Sequence, residues 1–130
     1  MAGDSYRMTD FKLSRDERIR LYLASIVADP KYSGFDTQML RTVEYIGAHA
    51  ETRTTVFEFE VADSMCNKDV LQGGAASTMF DNISSTSLFT IGQPCYWDRL
   101  GVSWSLSVWF HHPISSGARM RLVNTVVDAG

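Results

Sequence analysis

The stretch Leu71–Asn82, LQGGAASTMFDN, sets two glycines ahead of a run of small residues and ends on an acid and its amide. Wound as a helix at about 100° per residue, it divides into two faces. Ala76, Met79, Phe80 and Ile83 fall on one stripe, the pattern of a helix laid on a core. Asp81 falls away from that stripe, beside Gly74, Ser77, Thr78 and Ser85. A carboxylate among side chains this small sits where another backbone or a ligand can come close. Gly73 and Gly74 stand where the helix begins. Free amides at a helix start, with the positive end of the helix dipole, hold a developing negative charge. Oxyanion donors at a helix mouth with a carboxylate two turns on make a hydrolytic arrangement. The plain alternative is a loop-exit glycine pair followed by a solvated acid.

Outward from this helix, the flanking segments read mostly as strands. RTTVFEFEVA alternates Phe57, Phe59 and Val61 with Glu58 and Glu60, so one face is buried and the other wet. MLRTVEYIGAHA is a second strand candidate, interrupted by Gly47. SMCNKDVLQGG reads as a loop leading into the glycines, and the helix is expected to run to about Ile91. GVSWSLSVWFHHP has the clearest alternation in the chain. It puts Val102, Trp104, Leu106, Val108 and Phe110 on a core face and Ser103, Ser105 and Ser107 on the other. After the turn PISSG, ARMRLVNTVVDAG is the last strand candidate. Upstream, Ser14 with Glu17 forms a capping box for a helix to about Ala28, with Ile19, Leu23, Ile26 and Val27 at helical spacing and Pro30 beyond its end. Strands on both sides of one helix, without strict alternation of the two, predict an α+β fold with an antiparallel sheet.

A chain of 130 residues, 45% apolar, suffices for one domain with a real core. Its net charge of −3 comes from interleaved signs, which gives no footprint for nucleic acid. No apolar run approaches the roughly 20 residues of a membrane span, and the N-terminus has no signal-peptide core. Cys66 and Cys95 are expected to be reduced thiols. That places the protein in the cytoplasm, with mitochondria and peroxisomes left open. His111 and His112 are adjacent on a strand pattern and point to opposite faces, so no metal site is expected there. His49 reads as a surface residue. Trp97, Trp104 and Trp109 are candidates for a pocket wall, Trp104 by its parity for the core instead. Cys95 lacks an activating context and is not expected to be a nucleophile.

Asn67–Ser85, NKDVLQGGAASTMFDNISS, and then GVSWSLSVWFHHPISSG from Gly101, resemble the acyl-CoA thioesterases of the hotdog fold, PaaI type. The shared pattern is Asn67, Gly73, Gly74, Asp81, Asn82, Gly101, Val102, Ser103, Pro113 and Gly117, from roughly Met39 to the end of the chain. The resemblance implies a hotdog domain over 39–130, an antiparallel sheet wrapped around a central helix, preceded by an N-terminal helical extension over 1–38. It implies that Gly73, with Gly74, binds the thioester oxygen, and that Asp81 serves as general base or as nucleophile. Ser103 then positions the water or the acid, and Asn67 orients water or substrate across a subunit interface. Gln72 and Asn82 are expected beside the substrate. The implied substrate is an acyl-CoA or acyl-carrier-protein thioester, the assembly a homodimer or homotetramer, and no cofactor or metal takes part. Gln72 stands where the family has His, the loop 67–72 is one residue shorter, and one or two C-terminal strands are expected to be missing. These departures favour a rival reading, a catalytically degenerate acyl-thioester-binding or interaction module. A hotdog dehydratase is disfavoured, since no His stands in the loop before the helix.

Overall fold

The structure, a computed structural model, describes residues 10–130; the first nine residues of the predicted extension lie outside the described residues. Helix α1 (Arg15–Ala28) opens with the predicted capping box. The Glu17 amide donates to Ser14 Oγ at 3.2 Å, and the Ser14 amide donates to Glu17 Oε2 at 2.8 Å. Two helix-start donors are thereby satisfied reciprocally. Ile19, Leu23 and Ile26 are buried, while Val27 is exposed. A one-turn helix, α2 (Thr37–Leu40), buries Met39 and Leu40 behind it.

Strands β1 (Glu44–His49), β2 (Thr54–Glu60) and β5 (Arg119–Thr125) form one antiparallel sheet in the order β1-β2-β5. The pairing of β1 with β2 shifts register between Tyr45 and Gly47, the glycine that interrupts this strand in the sequence. Phe57 pairs with Leu122 and Phe59 with Met120, so the predicted inward parity of β2 meets its match on β5. Between β2 and β5 the chain forms a 3₁₀ turn (Asp63–Met65), a small hairpin of β3 (Cys66–Asn67) and β4 (Val70–Leu71), and helix α3 (Gly73–Ser84). A second 3₁₀ segment, Ser85–Thr90, continues α3.

Helix α3 presents Ala75, Met79 and Ile83 to the sheet, where they join Phe57, Phe59, Val61, Met65 and Leu122 in one core; Ala76 is buried too, but Phe80, expected on this stripe, is exposed. Phe89, on the 3₁₀ extension, connects this core to α1 through a ring contact with Tyr22 at 5.9 Å. Each fully buried large apolar side chain here contributes roughly 1.5–3 kcal/mol. One polar knot lies inside: Thr55 Oγ1 is 3.3 Å from Thr86 Oγ1 and accepts from Asn124 Nδ2 at 3.4 Å. Helix α1 docks on β1 through Tyr45, whose hydroxyl donates to Asp16. Burial, and then that bond, push the phenol above its ordinary range.

A larger expectation fails. The segment 101–111 forms no strand: it is irregular, bends at Trp104 and joins no ladder among the described residues. Val102 is 98% exposed and Trp104, expected in the core, is 100% exposed. Alternation makes a strand only when a neighbouring edge supplies hydrogen bonds and a face to cover. Neither reaches this segment. The sheet consequently has three strands where the sequence offered four. The chain is regathered at 114–118, where Leu71 N donates to Ile114 O and Gly117 N to Val61 O. Gly117 turns there at φ +80°, a conformation that glycine adopts without steric cost.

Candidate active site

Helix α3 starts as the glycines suggest, but its cap is Gln72. The Gln72 Oε1 accepts from the Ala75 amide at 2.9 Å, and the Gln72 amide donates to the Met65 carbonyl at 2.9 Å. Of the four amides that a helix start leaves unpaired, two are thus taken from within. Those of Gly73 and Gly74 remain for a ligand. Each glycine also makes room for a neighbour. A Cβ on Gly73 would meet the Phe110 ring at 3.3 Å, and one on Gly74 would meet Gln72 Oε1 at 2.9 Å.

Eight residues on, Asp81 is half-buried on the outer face of α3, away from the core stripe. Ser103, from the irregular segment, donates its hydroxyl to Asp81 Oδ1. The resemblance set Ser103 beside the water or the acid; the hydrogen bond brings Ser103 to Asp81 although its segment is not a strand. Asn82 turns about 100° round the helix from Asp81. Its amide donates to Asp36 Oδ2 at 2.7 Å, and Asp36 Oδ1 accepts from the Tyr32 hydroxyl at 2.5 Å. Asn67 is exposed on the β3–β4 hairpin. The site residues of the sequence thus fall into four groups: Gln72, Gly73 and Gly74 at the helix mouth, Asp81 with Ser103 on its outer face, Asn67 on the hairpin, and Asn82, which was expected beside the substrate and bonds to Asp36 instead.

The first two groups do not meet on one atom within a single chain. Eight residues of α-helix rise about 12 Å. A water attacking a carbonyl must lie within about 3 Å of both its carbon and its base.

A cavity of about 720 Å³ opens beside the helix mouth, lined by Gly73, Ala76, Met79 and Phe80 of α3, by Met120 and Leu122 of β5, and by Trp109–Ile114. Its size lies in the range of small-molecule sites, roughly 300–1,000 Å³. Trp109 thus borders a pocket, as its candidacy suggested, whereas Trp104 does not. His111 and His112 also line the cavity, and no group of three or more metal-ligating side chains gathers among the described residues. The sequence did not disclose Phe110 over Gly73 or the Asp36 bond to Asn82. Both depend on long-range folding that no local spacing signals.

No family model and no curated protein matches this chain. The solved structure of thioesterase superfamily member 2 from Mus musculus superposes on it with a TM-score of 0.71 at 22% identity. The match covers 91% of this chain and 77% of that one. At this identity the likeness shows the fold. The chain is an α+β protein of the hotdog architecture, an antiparallel sheet with a central helix, and α1 is added in front.

Proposed function

We propose that this protein hydrolyses acyl thioesters, with coenzyme A or an acyl-carrier protein as the thiol carrier, and that it works as a homodimer or a dimer of dimers. Asp81 carries the reading: a carboxylate on the outer face of α3, held by Ser103 and free of any ion pair among the described residues. The Gly73 and Gly74 amides of one copy receive the thioester oxygen as it gains charge, and the helix dipole supports it. Asp81 of the other copy takes a proton from a water, which attacks the carbonyl carbon. The tetrahedral intermediate collapses, the carbon–sulfur bond breaks, and the thiolate leaves and recovers the proton. Ser103 fixes the carboxylate, and Asn67 supplies an exposed amide to orient water from across the interface. The fold neighbour, named a thioesterase, supports the same chemistry.

Gln72 favours a second reading. Its oxygen is engaged as a helix cap and it cannot titrate near neutral pH. A domain that binds acyl thioesters without turning them over fits that feature. Thiol release from a panel of acyl-CoAs decides between the two. The hydrolase reading expects release that falls at least about 100-fold in Asp81→Asn. Equal rates for the two proteins remove Asp81 from the mechanism, and tight binding without release selects the module.

A further inference from the structure

The bond between α2 and α3 lies next to the proposed base. Asp36 occupies the N-cap position of α2 yet makes no capping bond to that helix. Both its oxygens are directed elsewhere, one to the Tyr32 hydroxyl at 2.5 Å and one to Asn82 Nδ2 at 2.7 Å. Hydrogen bonds to an ionised carboxylate are roughly twice as strong as neutral ones. Met39 and Leu40, which follow at once, are buried in the core, so this anchor is fixed.

The helix it holds changes geometry just beyond that point. α3 ends at Ser84 and tightens into 3₁₀ geometry from Ser85. There Ser84 Oγ donates to the Asp81 carbonyl at 3.3 Å and Ser85 Oγ to the Asn82 carbonyl at 2.8 Å. A change from one helical ladder to another often marks a hinge. From the far side, among the described residues, the carboxylate of Asp81 is held only by Ser103, whose own segment joins no ladder there. On this face the turn is tied through the Asn82 side chain, while Ile83 anchors it in the core on the other.

We propose that Asp36 is a positioning residue for Asp81, acting through Asn82. The inference rests on the hydrolase reading above, in which Asp81 is the base. A rotation of the last turn by about 10° swings a group about 6 Å from the helix axis through about 1 Å. A displacement of that size at a reacting group costs on the order of 10²-fold in rate. The N-terminal region, which the sequence assigns to an extension, is then part of the catalytic apparatus.

The test uses the full chain with Asp36→Ala, Asn82→Ala and both together, assayed for thiol release well below the melting temperature of each. Each single variant is expected to lose about 10- to 100-fold in kcat with KM nearly unchanged. The double variant is expected to be no slower than the worse single, the mark of two groups acting as one link. Asp36→Asn, which still accepts from Tyr32 and can pair with the Asn82 amide, is expected to recover most of kcat. Lowered melting temperatures with undiminished kcat in both single variants, while Asp81→Asn is inert, overturn the positioning role and leave the hydrolase standing. Additive losses overturn it as well. A wild-type protein that releases no thiol overturns both. Should Asp36→Ala fail to fold, Asn82→Ala against Asp36→Asn carries the same decision.

Discussion

Gly73 is the residue at which backbone, cap and pocket meet. It lacks a Cβ because Phe110 lies against it, and its amide is one of two that Gln72 leaves unpaired. This geometry permits an unusually clean deletion. Gln72 has φ −75° and ψ 134°, the region that a residue before proline prefers. Gly73 itself is the first helical position, where proline is tolerated because its missing N–H had no helical partner. Gly73→Pro is therefore expected to keep helix α3 while removing a proposed oxyanion donor. The Phe110 ring has to move by a few tenths of an ångström. The expected loss is about 10²–10³ in kcat, with the circular dichroism spectrum unchanged. A folded Gly73→Pro protein with wild-type turnover transfers the oxyanion to other donors. Some of this scale was legible in advance: the free amides followed from the glycine pair, whereas Ser103 beside the acid was implied only by the family resemblance. The cap was not, because Gln is a poor N-cap on propensity and only the fold brings its oxygen back over Ala75.

Among the elements, β2 and segment 101–111 carry equally regular alternation, yet only β2 forms a strand. The difference is neighbours. β2 lies between β1 and β5 with both edges paired, and Phe57 and Phe59 land on α3. Segment 101–111 meets no edge, so Val102 and Trp104 point into solvent. Periodicity reports which side of an element would be buried, and pairing decides whether there is an element. α1 lies at the other extreme: its capping box and spacing are local, and its start and all of its buried stripe but Val27 were readable. The outer face of the sheet adds a cross-strand network that no single segment could show. Glu58 on β2 takes Arg121 at 2.8 Å and Arg119 at 2.8 Å from β5, and Arg119 also reaches Glu44 on β1 at 2.7 Å. Hydrogen bonds from Arg121, then Arg119, hold the Glu58 carboxyl below the usual glutamate range. Because the folded state holds the proton more weakly than the unfolded chain, this contribution is complete above about pH 5 and disappears as pH falls through the lowered value. Wild type is expected to lose more melting temperature than Glu58→Gln between pH 7 and pH 3. Parallel loss in the two proteins, followed by calorimetry across that interval, would show the network to be idle.

For the molecule as a whole, the open features lie around one region. The exposed apolar run 102–110, the cavity beside it and the Asp81 face of α3 adjoin one another. Exposed apolar surface of this extent marks an interaction site. A second copy related by a two-fold axis would present the same patch to itself. That arrangement also answers the 12 Å rise between Gly73 and Asp81, since each site then draws its oxyanion donors from one chain and its base from the other. The proposed sharing has a consequence that no single-chain site has. Asp81→Asn retains a sound helix mouth, and Gly73→Pro retains a sound base. Each homodimer is inactive, but a mixed dimer contains one site with both sound halves and one with both defective. Random pairing of equal amounts makes half the dimers mixed, so co-refolding the two variants is expected to restore about a quarter of wild-type turnover per chain. Native mass spectrometry checks that mixed dimers have formed. Mixed dimers that stay as inactive as their parents confine the site to one chain, and the helix rise then excludes a carbonyl shared by Gly73 and Asp81.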